Sequence, residues 1–190
     1  MFALGVVALA GLVIAAVGLT QGPDTGRVAA GLGFPPSYVA AAKKWSLFYG
    51  VPLEWVLATI IVESGGKPNV RGDADGRSLG LMQVNVKAHA AEMAAAGVSV
   101  AQMFDPSTNI QWGTKYLRQF KDEVEAVLGG RTPPIPLSWI VRLYYKGPAT
   151  VTKAIRAGES PATISWAPEA LRRWAAAMAK VSALTGRQTA

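Results

Sequence analysis

Apolar positions along this chain recur mostly three and four residues apart, the spacing of helices that bury one face. Two stretches depart from that rhythm in opposite directions. Residues 2–19, FALGVVALAGLVIAAVGL, are apolar or small throughout and carry no charge. A run of about 18 such residues is near the shortest that spans a bilayer as a helix. Residues 65–80, GGKPNVRGDADGRSLG, hold five glycines and a proline and keep no period, so they read as irregular backbone.

The periodic segments predict a helix over 37–50, stopped by Gly50, and another over 52–64 with Leu53, Val56, Leu57, Ile60 and Ile61 on its buried face. A further helix is predicted from Asn85 to about Ala96, where Gly97 stops it. The longest opens on Asp105 as cap with Pro106 behind it, and its stripe runs through Ile110, Tyr116 or Leu117, Phe120, Val124 and Leu128. After the break RTPPIP come helices over 137–146, from Pro148 onward, and from Pro168 to about Leu184. No convincing strand alternation occurs, which confines any β-structure to a small hairpin or bent loop within 65–84. The predicted fold is mainly α, of α+β type: a helical bundle with a small irregular or β loop region, preceded by an N-terminal apolar helix. Three segments follow: 1–20 as an anchor, 21–35 as a Gly/Pro-rich linker, and 36–190 as the globular domain.

For residues 2–19, a cleaved signal peptide competes with a membrane anchor. The anchor is the better reading, because no basic residue precedes the run and Arg27 is the first. Gly11 and Ala15, four apart, would allow close helix contact in lipid. With Arg27, Lys43 and Lys44 following the run, the positive-inside rule would place the C-terminal domain in the cytoplasm.

The net charge of +7, from 19 basic and 12 acidic side chains, suits any polyanion without choosing among nucleic acid, anionic lipid and cell-wall polymer. No phosphate loop or aromatic-basic reading motif supports nucleic acid. The chain has no cysteine and one histidine, His89, which excludes disulfides and thiolate metal sites and argues against a histidine metal centre. No metal or cofactor is expected. The six tryptophans, among them Trp112, Trp139 and Trp166, are read as core.

Candidate chemistry centres on Glu63, at the end of the apolar helix over 52–64 and on the edge of its buried face. Partial desolvation and the negative end of the helix dipole both disfavour the carboxylate. A carboxyl kept protonated near neutral pH is what general-acid catalysis needs. The competing reading is a solvated charge at a fraying helix end.

Glu63 and Ser64, then Gly80-Leu81-Met82-Gln83, then DPSTNIQWGTKYL with Asn109, Gly113 and Leu117, then LYYKGP at 143–148 stand in a fixed order. Together these blocks resemble the lysozyme-like lytic transglycosylases, whose core goose-type lysozymes share. The resemblance covers residues 52–148. It implies Glu63 as catalytic acid, with Ser64 orienting sugar beside it and Gln83 on the segment lining the cleft. Met82 would be a wall of the site, Asn109 a residue near the cleft that fixes backbone, and Tyr144 the tyrosine touching the catalytic carboxylate. Tyr145 and Lys146 stand where the family has Asn and Ala, so local sugar contacts at Tyr145 depart from its pattern.

The resemblance further implies peptidoglycan glycan strands as substrate, cut between N-acetylmuramic acid and N-acetylglucosamine with a 1,6-anhydro product. A hydrolase would need a second carboxylate. Goose-type lysozymes carry an Asp directly after the Gly-Leu-Met-Gln-Val run, and here that position is Asn85. Asp73 and Asp75 are the alternatives, although beside Gly72 and Gly76 they also read as turn residues. The lyase is therefore expected, with a goose-type-like hydrolase as alternative. A second alternative is an inactive lysozyme-like component of a virus particle or secretion assembly, whose proteins would be its partners. A wall-cutting domain tethered through residues 2–19 would face the peptidoglycan in the periplasm or envelope, or travel with a virus particle. That location conflicts with the positive-inside reading, which a virus particle or secretion assembly need not obey.

Overall fold

The computed structural model describes residues 24–72, 75–129, 135–159 and 167–186. Its helices are α1 (Thr25–Leu32), α2 (Pro36–Tyr49), α3 (Leu53–Ser64), α4 (Ala90–Ala95), α5 (Pro106–Val127), α6 (Leu137–Lys146), α7 (Pro148–Arg156) and α8 (Pro168–Thr185), with a 3-10 turn over Val100–Phe104. Three two-residue strands, β1 (Arg71–Gly72), β2 (Ser78–Leu79) and β3 (Val84–Asn85), form an antiparallel sheet in that order. Arg71 pairs with Leu79, and Leu79 with Val84. This is the mainly helical lysozyme-like architecture that the periodicity and the resemblance predict.

The centre of the molecule is α3, packed against α2, α5 and α8. Every residue from Leu53 to Ile60 is buried, including Glu54 and Thr59. The helix is therefore enclosed on all sides rather than amphipathic, as befits a segment with few polar residues. Glu54 is accommodated because the Thr185 hydroxyl donates to its carboxylate at 3.2 Å. Of the stripe on α5, Ile110, Leu117, Phe120 and Val124 are buried. Asp105 caps that helix, accepting from the Thr108 amide at 2.8 Å, a contact that stabilises by about 1 kcal/mol.

Three boundaries differ from the sequence reading. The segment 21–35 is not a linker over its whole length. Within it, Asp24 caps α1 by accepting from the Gly26 amide at 2.8 Å, and Val28 and Ala29 enter the core. One of its glycines serves packing: a Cβ on Gly31 would lie 2.4 Å from Leu184 Cδ2 of α8. The helix expected from Asn85 is confined to α4, because Val84–Asn85 pair as β3 and the chain turns until His89. The sheet thus extends one residue beyond the predicted limit. Residues 1–20 lie outside the described residues. Among the described residues no helix is long and apolar enough to cross a membrane.

If α1 is part of the packed domain, Gly31→Val will lower stability by about 1–3 kcal/mol through overpacking against Leu184. Urea denaturation of the full chain measures this, and a flexible linker would show no change.

Candidate active site

At the C-terminal end of α3, Glu63 is half-buried in the last helical turn. The carbonyl of its neighbour Val62 accepts from Arg173 Nη2 of α8 at 3.0 Å, which satisfies one of the orphan carbonyls of a helix end. One turn earlier on the same face, Thr59 donates its hydroxyl proton to the Trp55 carbonyl at 2.7 Å. Its hydroxyl also shares a hydrogen bond with the Tyr144 hydroxyl. Tyr144 in turn packs on Trp174 of α8, ring centroids 5.2 Å apart.

Burial pushes the Tyr144 phenol well above its ordinary range, and the charge of nearby Glu63 pushes it further. The hydroxyl is consequently a neutral group near pH 7. The Tyr144 hydroxyl and the Glu63 carboxyl are thus neighbours in the fold.

A cleft of about 300 Å³ opens beside Tyr144, between the 78–88 segment, α5 and the α6–α7 junction. Ser78, Met82, Gln83, Asn85 and Ala88 line it from the 78–88 segment, Gly113 and Tyr116 from α5, and Leu143, Tyr144, Gly147 and Pro148 from the α6–α7 junction. None of the described residues lining it carries a carboxylate. Where the sequence leaves Tyr116 and Leu117 as alternatives for the α5 stripe, Leu117 is buried and Tyr116 faces the cleft.

One wall is held by a single buried amide. Asn109 is fully buried in the first turn of α5. Its Nδ2 donates to the carbonyls of Leu79 and Met103, each at 2.8 Å, while its Oδ1 accepts from the Met82 amide at 2.8 Å. Gly80 is obligatory in this arrangement: φ is +75°, and a Cβ there would lie 2.3 Å from Asn109 Nδ2 and 2.5 Å from the Met103 carbonyl oxygen. Gln83 adopts a left-handed φ of +48°, a conformation uncommon for a residue with a side chain. Its amide donates to the carbonyls of Gly80 at 2.9 Å and Val70 at 3.3 Å. The Val70 bond ties the turn to the loop before β1, and the Gly80 bond closes the turn on itself.

The candidate residues therefore separate. Glu63 and Tyr144 are neighbours, and Gln83 and Met82 line the cleft. Gln83 directs its amide donors to backbone, and its side-chain oxygen lies against Gly72 of β1. Asn109 is enclosed and acts on backbone, not on ligand. The Ser64 hydroxyl donates to the Ile60 carbonyl and accepts from the Gly66 amide, both at 3.1 Å, which makes it a helix-end clasp. Tyr145 is 47% exposed at the end of α6. Asp75 pairs with Arg77 on the surface and does not line the cleft. The Arg77 guanidinium holds the Asp75 carboxyl below its usual range. Asp73 lies outside the described residues.

Sequence reasoning missed Thr59, Trp174 and Arg173. Thr59 was detectable, since it precedes Glu63 by one helical turn. The other two come from α8, and no local pattern joins them to Glu63. His89 also borders the site. It packs edge-on against Tyr116, and its Nδ1 lies 3.5 Å from Glu92. Burial depresses its pKa more strongly than Glu92 raises it.

Fold and site define a lysozyme-like lytic transglycosylase domain. The chain belongs to the Transglycosylase SLT domain family, whose sequence profile matches residues 40–166. Its fold is similar to that of the lytic transglycosylase Slt from Pseudomonas aeruginosa, solved as an inactive glutamate-to-glutamine mutant. The TM-score is 0.62 at 18% identity, over 82% of this chain and 26% of that one. This chain thus spans about a quarter of that protein's length. No curated protein sequence matches it significantly.

Asn109→Ala will leave the Met82 amide buried without a partner and cost about 1–3 kcal/mol or more. A denaturation midpoint records the loss. For His89, the unfolded chain binds more protons than the folded one below about pH 6.5. Stability will therefore fall as pH drops from there until the folded imidazole protonates. The single histidine NMR resonance will titrate below 6.5, and His89→Phe will flatten that part of the stability profile.

Proposed function

We propose that this protein is a peptidoglycan lytic transglycosylase in which Glu63 acts first as acid and then as base. The observation that carries the reading is one half-buried carboxyl beside a neutral phenol, next to a cleft whose described lining offers no second carboxylate. Protonated Glu63 gives its proton to the glycosidic oxygen between N-acetylmuramic acid and N-acetylglucosamine, and the bond to the anomeric carbon breaks. The substrate's own N-acetyl group stabilises that carbon. The resulting carboxylate takes the proton from the C6 hydroxyl of the same muramic residue, whose oxygen closes the 1,6-anhydro ring. No water is consumed, and Glu63 ends protonated as it began.

Two features favour this over hydrolysis. Asn85, at the position of the goose-type aspartate, is neutral, and its side-chain oxygen accepts from the Ala88 amide at 3.0 Å. Asp75 is paired with Arg77, and its lowered pKa makes it a weaker base for activating water. The Slt relative was solved as an inactive glutamate-to-glutamine mutant, consistent with chemistry that depends on a single glutamate. In our reading residues 2–19 hold the domain at a membrane facing the wall. There it opens peptidoglycan locally for a virus particle or an envelope-spanning machine. This setting is supported by the composition of residues 2–19 alone.

Mass spectrometry of muropeptides released from purified peptidoglycan tests the reading. The full chain will release 1,6-anhydro products, and Glu63→Gln will lower the rate by at least about 100-fold, the scale of losing general acid–base catalysis. Products heavier by one water would make the protein a hydrolase. No release by a folded full chain would favour a structural component.

A further inference from the structure

The α2 helix exposes an apolar pair that packing within the domain does not use. Its inner face, with Tyr38, Val39, Ala42 and Ser46, is buried. On the outer face, Leu47 and Phe48 are 73% and 71% exposed. Among the described residues they are the only adjacent pair of exposed large hydrophobics. Phe48 sits edge-on to Trp45 and Tyr49, at 5.6 and 4.9 Å between centroids. The Lys44 ammonium lies 4.5 Å over the Trp45 ring, and Lys43 precedes it. Exposed Ala40, Lys44, Leu47 and Phe48 follow one another at helical spacing, and residues 36–50 contain no carboxylate.

Two arguments choose the occupant. Apolar side chains, interfacial aromatics and paired lysines on one helix face, without acid, complement an anionic lipid surface. The second argument is distance. The apolar run ends at Leu19 and the described structure starts at Asp24, so residues 20–23 reach at most about 14 Å. They lead directly into α1, which packs on α2. This second argument rests on the membrane reading of residues 2–19.

We propose that the outer face of α2 docks on an anionic phospholipid surface, with Leu47 and Phe48 entering the headgroup region and Lys43 and Lys44 meeting lipid phosphates. The domain then has two attachments, the apolar segment and α2, and its cleft is held at a fixed attitude to the membrane.

The absence of native cysteine permits site-specific probes in the full chain. An NBD fluorophore on Ala40→Cys reports on the α2 face, and one on Ala157→Cys, exposed at the end of α7, serves as reference. The protein is reconstituted in vesicles of phosphatidylglycerol and phosphatidylethanolamine, or of phosphatidylcholine alone, each with a shallow nitroxide lipid. In the anionic vesicles the Ala40 probe will be blue-shifted and quenched while the Ala157 probe is not. Phosphatidylcholine and high salt will weaken the effect. Lys44→Gln will lower the docking equilibrium about five-fold, and Leu47→Asp with Phe48→Asp will abolish it.

A chain that floats with anionic vesicles but leaves the Ala40 probe unquenched overturns the α2 proposal and keeps the anchor. Flotation lost only in the Leu47→Asp/Phe48→Asp variant supports docking and removes the anchor. No flotation of the native chain overturns both. A blue shift of the Ala40 probe in detergent without lipid assigns the face to a second copy or to residues 2–19, and overturns the proposal. None of these substitutions touches the cleft, so muropeptide release from soluble peptidoglycan fragments will be unchanged.

Discussion

A helix enclosed on all sides by protein has only its ends at which to present a charge. The α3 helix is in that position, between α2, α5 and α8. A carboxylate along its enclosed length would lose its hydration, and the buried one in its first turn, Glu54, is bonded to Thr185. Glu63 stands where the helix leaves the core, half-buried in its last turn. The elements that enclose α3 therefore also determine the surroundings of the candidate acid. The α8 helix contributes Trp174 behind Tyr144 and Arg173 on the Val62 carbonyl.

The opposite wall of the cleft follows a different rule. Its strands are two residues long, too short to hold one another in place. The 78–85 segment keeps its shape because Asn109 links it to α5 and to the 3-10 turn, and because Gln83 links it to Val70. The motif residues that most resemble a sugar-binding set thus act largely on backbone. This also explains how a glutamine tolerates a left-handed φ: two carbonyls accept from its side chain and offset the local strain.

The basic excess of the chain is not gathered at the cleft. Arg77 pairs with Asp75, Arg118 with Asp122, Lys121 with Glu125 and Arg172 with Glu169. Lys43 and Lys44 stand on a helix without acids, and there the charge coincides with exposed apolar surface. Charge and hydrophobicity together mark a surface more sharply than the net charge does.

The sequence by itself determined the helices, because their periodicity and their Pro, Asp and Gly boundary signals act within a few residues. It also determined the order of the motif blocks and the single prominent carboxyl at the end of an apolar helix. Tertiary structure decided the rest. Gly31 reads as linker until Leu184 packs against it. Asn85 reads as helix until pairing with Ser78 makes it strand. Asn109 reads as a residue that fixes backbone, but only its three bonds show which backbone it holds. Tyr116 and Leu117 are separable only once α5 has neighbours. In each case the deciding partner lies far along the chain or in an irregular loop, where burial and hydrogen bonding outweigh local propensity and no periodicity records the contact.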